Sequence, residues 1–192
     1  MCLRQPGLVR REDFALQMSD YTQQRLGRIS HRLRVAFAAG CASRVLRIYE
    51  YDYSEENRSP HAAVDVAWKF ACGEQIPEQT FSDTLKAARD ATPNIEEEGD
   101  EYSGPMRASV SAICALEAVK DPTARSAVGA ATIALEAVGS FEGHTGEGEA
   151  EEEQWQERAL KLVESWGAQP ITRDMFAVLD DDPPAWFQRT TQ

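Results

Sequence analysis

At 192 residues the chain has the length of one domain, long enough to bury a core that stands without disulfide or metal staples. Its formal net charge of −12 disfavours nucleic acid and anionic membrane as partners, and no stretch approaches the ~18 consecutive apolar residues of a membrane span. No signal-like apolar run follows Met1 and the four cysteines lack C-x-x-C spacing, so the expectation is a cytoplasmic protein with Cys41, Cys72 and Cys114 as small core residues.

Residues 1–9 show no periodicity and predict a loose N-terminus, followed by one helical domain over 10–179 and a tail over 180–192. From Arg10 to Leu26, Phe14, Met18 and Tyr21 outline a modest amphipathic helix. Ser30 is placed to cap the next helix, which runs to about Tyr51 with Leu33, Phe37, Cys41, Val45 and Ile48 on one face. Because Ala36, Ala38, Ala39, Gly40 and Ala42 fill the positions between, neighbours can approach this helix closely, which places it at the centre of a bundle.

Ser59-Pro60 and Gly73 mark both ends of a helix over Pro60–Cys72, with Val64, Ala67, Trp68 and Ala71 inward. After Pro77 and Thr80 a helix carries Phe81, Leu85 and Ala88, and Pro93 stops it. An acidic loop leads to two alanine-rich helices, Pro105–Lys120 and Pro122–Phe141, joined at an Asp121 cap as an antiparallel hairpin. A second acidic stretch, EGHTGEGEAEEE, reads as a loop, followed by a helix bearing Trp155, Ala159, Leu162, Val163 and Trp166. Thr172 is placed to cap a short helix to Leu179, and Trp186 and Phe187 are the tail residues able to dock on the body. The whole predicts an all-α, single-domain bundle of seven to eight helices around a central alanine-rich hairpin.

Charge is uneven along the chain. Residues 1–50 carry a net +5 and the remainder −17, so Arg25, Arg28, Arg32 and Arg34 are expected to pair with the acidic body in preference to nucleic acid. His31, His61 and His144 fall in no metal-ligand spacing and read as surface positions. The glycines around Gly143 lack the Lys-Ser/Thr of a phosphate loop, and no nucleophile motif is present. No catalytic, cofactor or metal residues are therefore assigned, and the chain is expected not to be an enzyme. Candidate partner-binding residues are the aromatic and acidic cluster Tyr49, Tyr51, Asp52, Tyr53 and Glu55, with the acidic runs Glu96, Glu97, Glu98, Asp100, Glu101 and Glu149, Glu151, Glu152. Carboxylates there suit a basic protein, and tyrosine is common in interface hot spots.

The segment Ser30–Phe141 holds an arginine-flanked helix motif (Cys41, Ala42, Arg44, Val45, Leu46), a helix start at Arg58 and Pro60, its end at Gly73-Glu74, and the join Asp121–Arg125. In these it resembles predicted immunity proteins of bacterial polymorphic-toxin systems, similar to immunity family five, and a related all-helical bacterial domain family of unknown function. The resemblance implies a cytoplasmic antidote that binds one cognate toxin and blocks it without chemistry, a basic nuclease-like toxin being one natural target. The alternative is a helical regulatory or scaffold protein that forms a homodimer through the alanine-rich hairpin.

Overall fold

The structure, a computed structural model, describes residues 20–53, 58–94, 96, 103–143, 145–179 and 183–191. Every regular element among them is helical, as the sequence predicts. A helical segment over 20–26 leads to α1 (His31–Asp52), α2 (Ser59–Ala71), α3 (Glu78–Asp90), α4 (Ser103–Glu117), α5 (Arg125–Phe141) and α6 (Glu147–Ser165). A 3-10 helix (Arg173–Leu179) and the short α7 (Ala185–Thr190) complete the fold. Residues 1–19, and with them Cys2 and the predicted contacts of Phe14 and Met18, lie outside the described residues, as does His144.

Helix α1 is the axis. Ser30 caps it, its Oγ accepting from Leu33 N at 3.4 Å, and all five predicted inward residues are buried. Burial extends further round than one face, because Val35, Ala36, Ala38, Ala39, Ala42, Leu46 and Tyr49 are also inside and α2, α4, α5 and α6 all pack on this helix. Gly40 allows the closest of these approaches: a Cβ there would lie 2.6 Å from a ring carbon of Phe176. Gly40→Ala is accordingly expected to push Phe176 and the 3-10 helix outward at about 1–3 kcal/mol, read as a lower urea midpoint and a shifted Phe176 ring signal.

The helices alternate in direction between two ends. At one, here the near end, Tyr49 donates to the carbonyl of Ala91 just past α3, Gly104 of α4 lies against Ile48, and Tyr51 meets Phe141 at the end of α5. At the far end, His31 reaches the carbonyl of Ala118 at 2.8 Å, Arg34 donates to that of Pro122, and Gly73, at φ 106° where only glycine is at ease, stops α2 beside Arg32. Arg25 ties the 20–26 segment to α6 there, donating to Glu164 twice and Glu157 once at 2.6–2.7 Å. The Glu164 hydrogen bonds lead in raising its already high pKa, against the cost of burial.

The alanine-rich hairpin lies inside the molecule. Ala108, Ala112 and Ala115 of α4 and Ala127, Ala130, Ala134 and Ala137 of α5 are buried, and the buried hydroxyl of Ser111 donates to Ala130 O at 2.8 Å. Its join differs from the expected cap with proline at the first helical position: α5 begins three residues later, at Arg125. The Asp121 carboxylate still serves the helix, accepting from Thr123 N and Ser126 N at 2.8 and 2.9 Å. Desolvation raises its pKa, but the hydrogen bonds from Thr123 and Ser126 outweigh that and hold it at about 2.

A folded pKa below the unfolded ~3.9 means that this carboxylate's contribution is complete above about pH 4 and disappears as pH falls through about 2. Asp121→Ala should cost about 1 kcal/mol at neutral pH and remove that part of the acid-limb slope, measured by urea melts from pH 2 to 7.

Two surface details differ from expectation. Cys72 is exposed, because α2 ends at Ala71 and leaves it on the cap. His31 and His61 are half-buried and hydrogen-bonded, not free surface groups: His31 also lies 5.0 Å from the Phe70 ring, and His61 Nε2 lies 2.7 Å from Glu50. The tail docks through the two residues expected to do so, with Trp186 fully buried in a short helix and Phe187 stacked on Phe141.

Candidate functional site

At the near end the candidate residues separate into core and surface. Tyr49 is buried, 1% exposed, with Tyr53 half-buried and stacked upon it; both are packing residues, the Tyr49 hydroxyl being tied to Ala91 O just past α3. Tyr51 is the outward tyrosine, 57% exposed, and meets Phe141 and Phe187 edge-on. Asp52 beside it is exposed, though partial burial raises its pKa, and Glu96 is exposed. Glu55, Glu97, Glu98, Asp100 and Glu101 lie outside the described residues.

The second acidic run is helix, not loop. From Glu147 onward it forms the first turns of α6, where the exposed N–H groups favour carboxylates, and Glu142 accepts from Gly148 N at 2.6 Å. Glu149 is half-buried over Gly139, and Glu151 pairs with Arg189 of α7 at 2.6 Å. Glu152 is wholly buried and cannot meet a partner: it accepts from Arg44 Nε at 2.7 Å and from Gln156 Nε2 at 3.2 Å. Gln156 also donates to Ala131 O, and the Arg44 guanidinium lies 5.1 Å from the Trp155 ring.

Burial pushes the Glu152 carboxyl above its ordinary range, and Arg44 pulls it back. The Trp186 indole also eases its charge without forming a hydrogen bond of ordinary geometry. The signal for this was present in the sequence, since Glu152 precedes Trp155 and Ala159 by three and seven residues on the same helical face.

A cleft of about 510 Å³ opens between α1, α2 and the 3-10 helix, with Pro184 at its edge. Its floor is apolar, made by Leu46, Val64, Trp68, Trp155 and Phe176. Arg44, Arg47 and Arg173 line it together with Glu50, Asp65 and Asp174. Ser43 completes one wall, donating to Ala39 O and accepting from the Trp68 indole at 3.2 Å. Sequence reasoning did not find this cleft, because its walls come from segments over a hundred residues apart.

Its cations are engaged: Arg44 with Glu152, Arg173 with Asp65, and Arg47 with a partner of its own. Glu50 faces His61, while Asp174 makes no ion pair or hydrogen bond among the described residues.

Burial raises the thiol pKa of Cys41, Cys72 and Cys114, the last to about 11, the opposite of what a nucleophilic thiolate needs. Among the described residues no group of His, Cys, Asp and Glu is disposed to hold a metal, and no helix is long and apolar enough to cross a membrane. Compared with protein-family models, curated proteins and solved structures, the chain matches none of them.

Proposed function

We propose that the chain neutralises a cognate bacterial toxin by direct, non-catalytic binding, and that its near end makes the contact. The observation that carries this reading is the exposed aromatic and acidic surface of the near end. Tyr51 beside Phe187 stands next to Asp52, the last residue of α1, and Glu147, the first of α6, is exposed at the same end.

The far end collects Arg25, Arg28, Arg32, Arg34 and Lys120, partly compensated by Glu157, Glu164 and Glu78. Exposed carboxylates at the near end draw in a basic protein over roughly a Debye length of 8 Å. The exposed Tyr51 beside Phe187 supplies an aromatic anchor within that field.

Co-expression with the product of the adjacent reading frame tests the proposal. Restored growth and a co-purifying complex are expected. Growth arrest with no complex would contradict it.

A further inference from the structure

Helix α7 lies across the near end as a strap with few ties. Trp186 and, just before the helix, Pro184 are its buried residues, and the Trp186 indole N–H sits beside the Glu152 carboxylate without a hydrogen bond of ordinary geometry. Arg189 reaches Glu142 and Glu151 at 2.9 and 2.6 Å, and Phe187 stacks on Phe141. Among the described residues the other hydrogen bonds of 183–191 close within the segment, and neither Pro183 nor Pro184 has an N–H to give the body. A six-residue helix does not stand alone in water, so docking rests on these side chains, and the ion pair of Arg189 with Glu151 is more than a third exposed on both sides. Two costs oppose docking: the buried indole donor lacks a partner, and Trp186 is part of what keeps water from the Glu152 carboxylate.

The surface beneath the strap therefore already shows what chemistry it takes: an indole in a socket, a ring against Phe141 and a guanidinium shared by two carboxylates. We propose that α7 is an intrachain competitor, which lifts from the near end as a unit while the bundle stays folded, and whose place is taken by a partner segment carrying an aromatic side chain and an arginine. Lifting it bares Phe141 and Glu151 and takes Arg189 away from Glu142, whose side chain is 5% exposed beneath it. Two carboxylates against one guanidinium leave that surface short of positive charge, which a basic partner supplies, whereas a second copy of a chain of net charge −12 is repelled. The inference deepens the proposed neutralisation, and rests on it only for the identity of the partner.

Native-state hydrogen exchange on the full chain, in urea below the unfolding transition, compares the indole N–H of Trp186 with that of Trp155. Trp186 is expected to exchange at least roughly tenfold faster, at a rate that low urea barely alters, and Trp155 only as the bundle unfolds. Exchange of both indoles through global unfolding alone would overturn the lifting. The capped peptide of residues 183–191, PPAWFQRTT, is then titrated into the parent and into full-length Trp186→Ala, followed by the Phe141 ring and Gly148 amide signals. Saturable binding is expected, roughly tenfold tighter to Trp186→Ala, whose own strap is loosened, and lost when glutamine replaces the arginine of the peptide. If Trp186→Ala does not fold, full-length Arg189→Gln, an exposed change, takes its place in the same comparison. No binding, equal binding by parent and variant, or indifference to the arginine of the peptide would overturn the competition. A concentration-dependent dimer of the parent in light scattering, absent in Arg189→Gln, would make a second copy the occupant and overturn the choice of a partner. Because no toxin enters these assays, their failure removes the strap assignment alone, and a failed growth rescue removes the neutralisation reading alone.

Discussion

Val45→Asp is expected to remove the protein from the soluble fraction. Val45 has no exposure and sits midway along α1, the helix on which four others pack, so a carboxylate there has neither water nor a cation supplied for it. Burying an unpaired charge at such a point costs on the order of 4 kcal/mol, a large share of the roughly 5–15 kcal/mol that holds a domain folded. Val45→Ala is the control: it loses two methyl groups and leaves a small cavity, at about 1–3 kcal/mol, and should stay folded with a lower urea midpoint. A fully soluble Val45→Asp chain with an unchanged midpoint would mean that α1 does not occupy the centre.

The second large effect concerns the buried pair. Glu152→Ala leaves the Arg44 guanidinium, 11% exposed, without its carboxylate and strips Gln156 of an acceptor, so a loss of about 3–5 kcal/mol is expected. In a domain of this length that is roughly 10 °C in melting temperature. Glu152→Gln, which keeps an acceptor oxygen, should cost less. The double change Arg44→Met with Glu152→Leu should recover most of the loss, because neither charge then needs solvation. Calorimetry on the three variants decides it. A Glu152→Ala protein as stable as the parent would show that the pair contributes nothing to holding α6 on α1.

These two sites also show where the sequence was legible. The α1 face was readable because an apolar residue every three or four positions admits only one kind of burial, and the alanines between announced close neighbours. The bounds of α2 were readable to a residue because Pro60 and Gly73 act through backbone geometry, independent of what packs on the helix. Glu152 was misread because seven glutamates and glycines within the eight residues 146–153 look solvated when composition is weighed ahead of spacing. A charge can be buried when its partner, here Arg44, lies over a hundred residues away and leaves no local trace.

Tyr49 was assigned to a contact surface for a related reason. Of three tyrosines at alternate positions, Tyr49 and Tyr53 share a face and stack, and only Tyr51 points out. The cleft had no sequence signal, since a cavity is defined by where chain segments fail to fill space. Its unpartnered Asp174 is one more acid in an acidic chain until Phe176 seats the 3-10 helix against Gly40.

The association rate with the purified product of the adjacent reading frame, measured at about 50 mM and about 300 mM salt, tests the central claim of charge-guided neutralisation most directly. A stable complex whose association rate falls roughly tenfold across that range, with dissociation nearly unchanged, is the expected result. No complex at either concentration, or one that forms at a rate indifferent to salt, would contradict it.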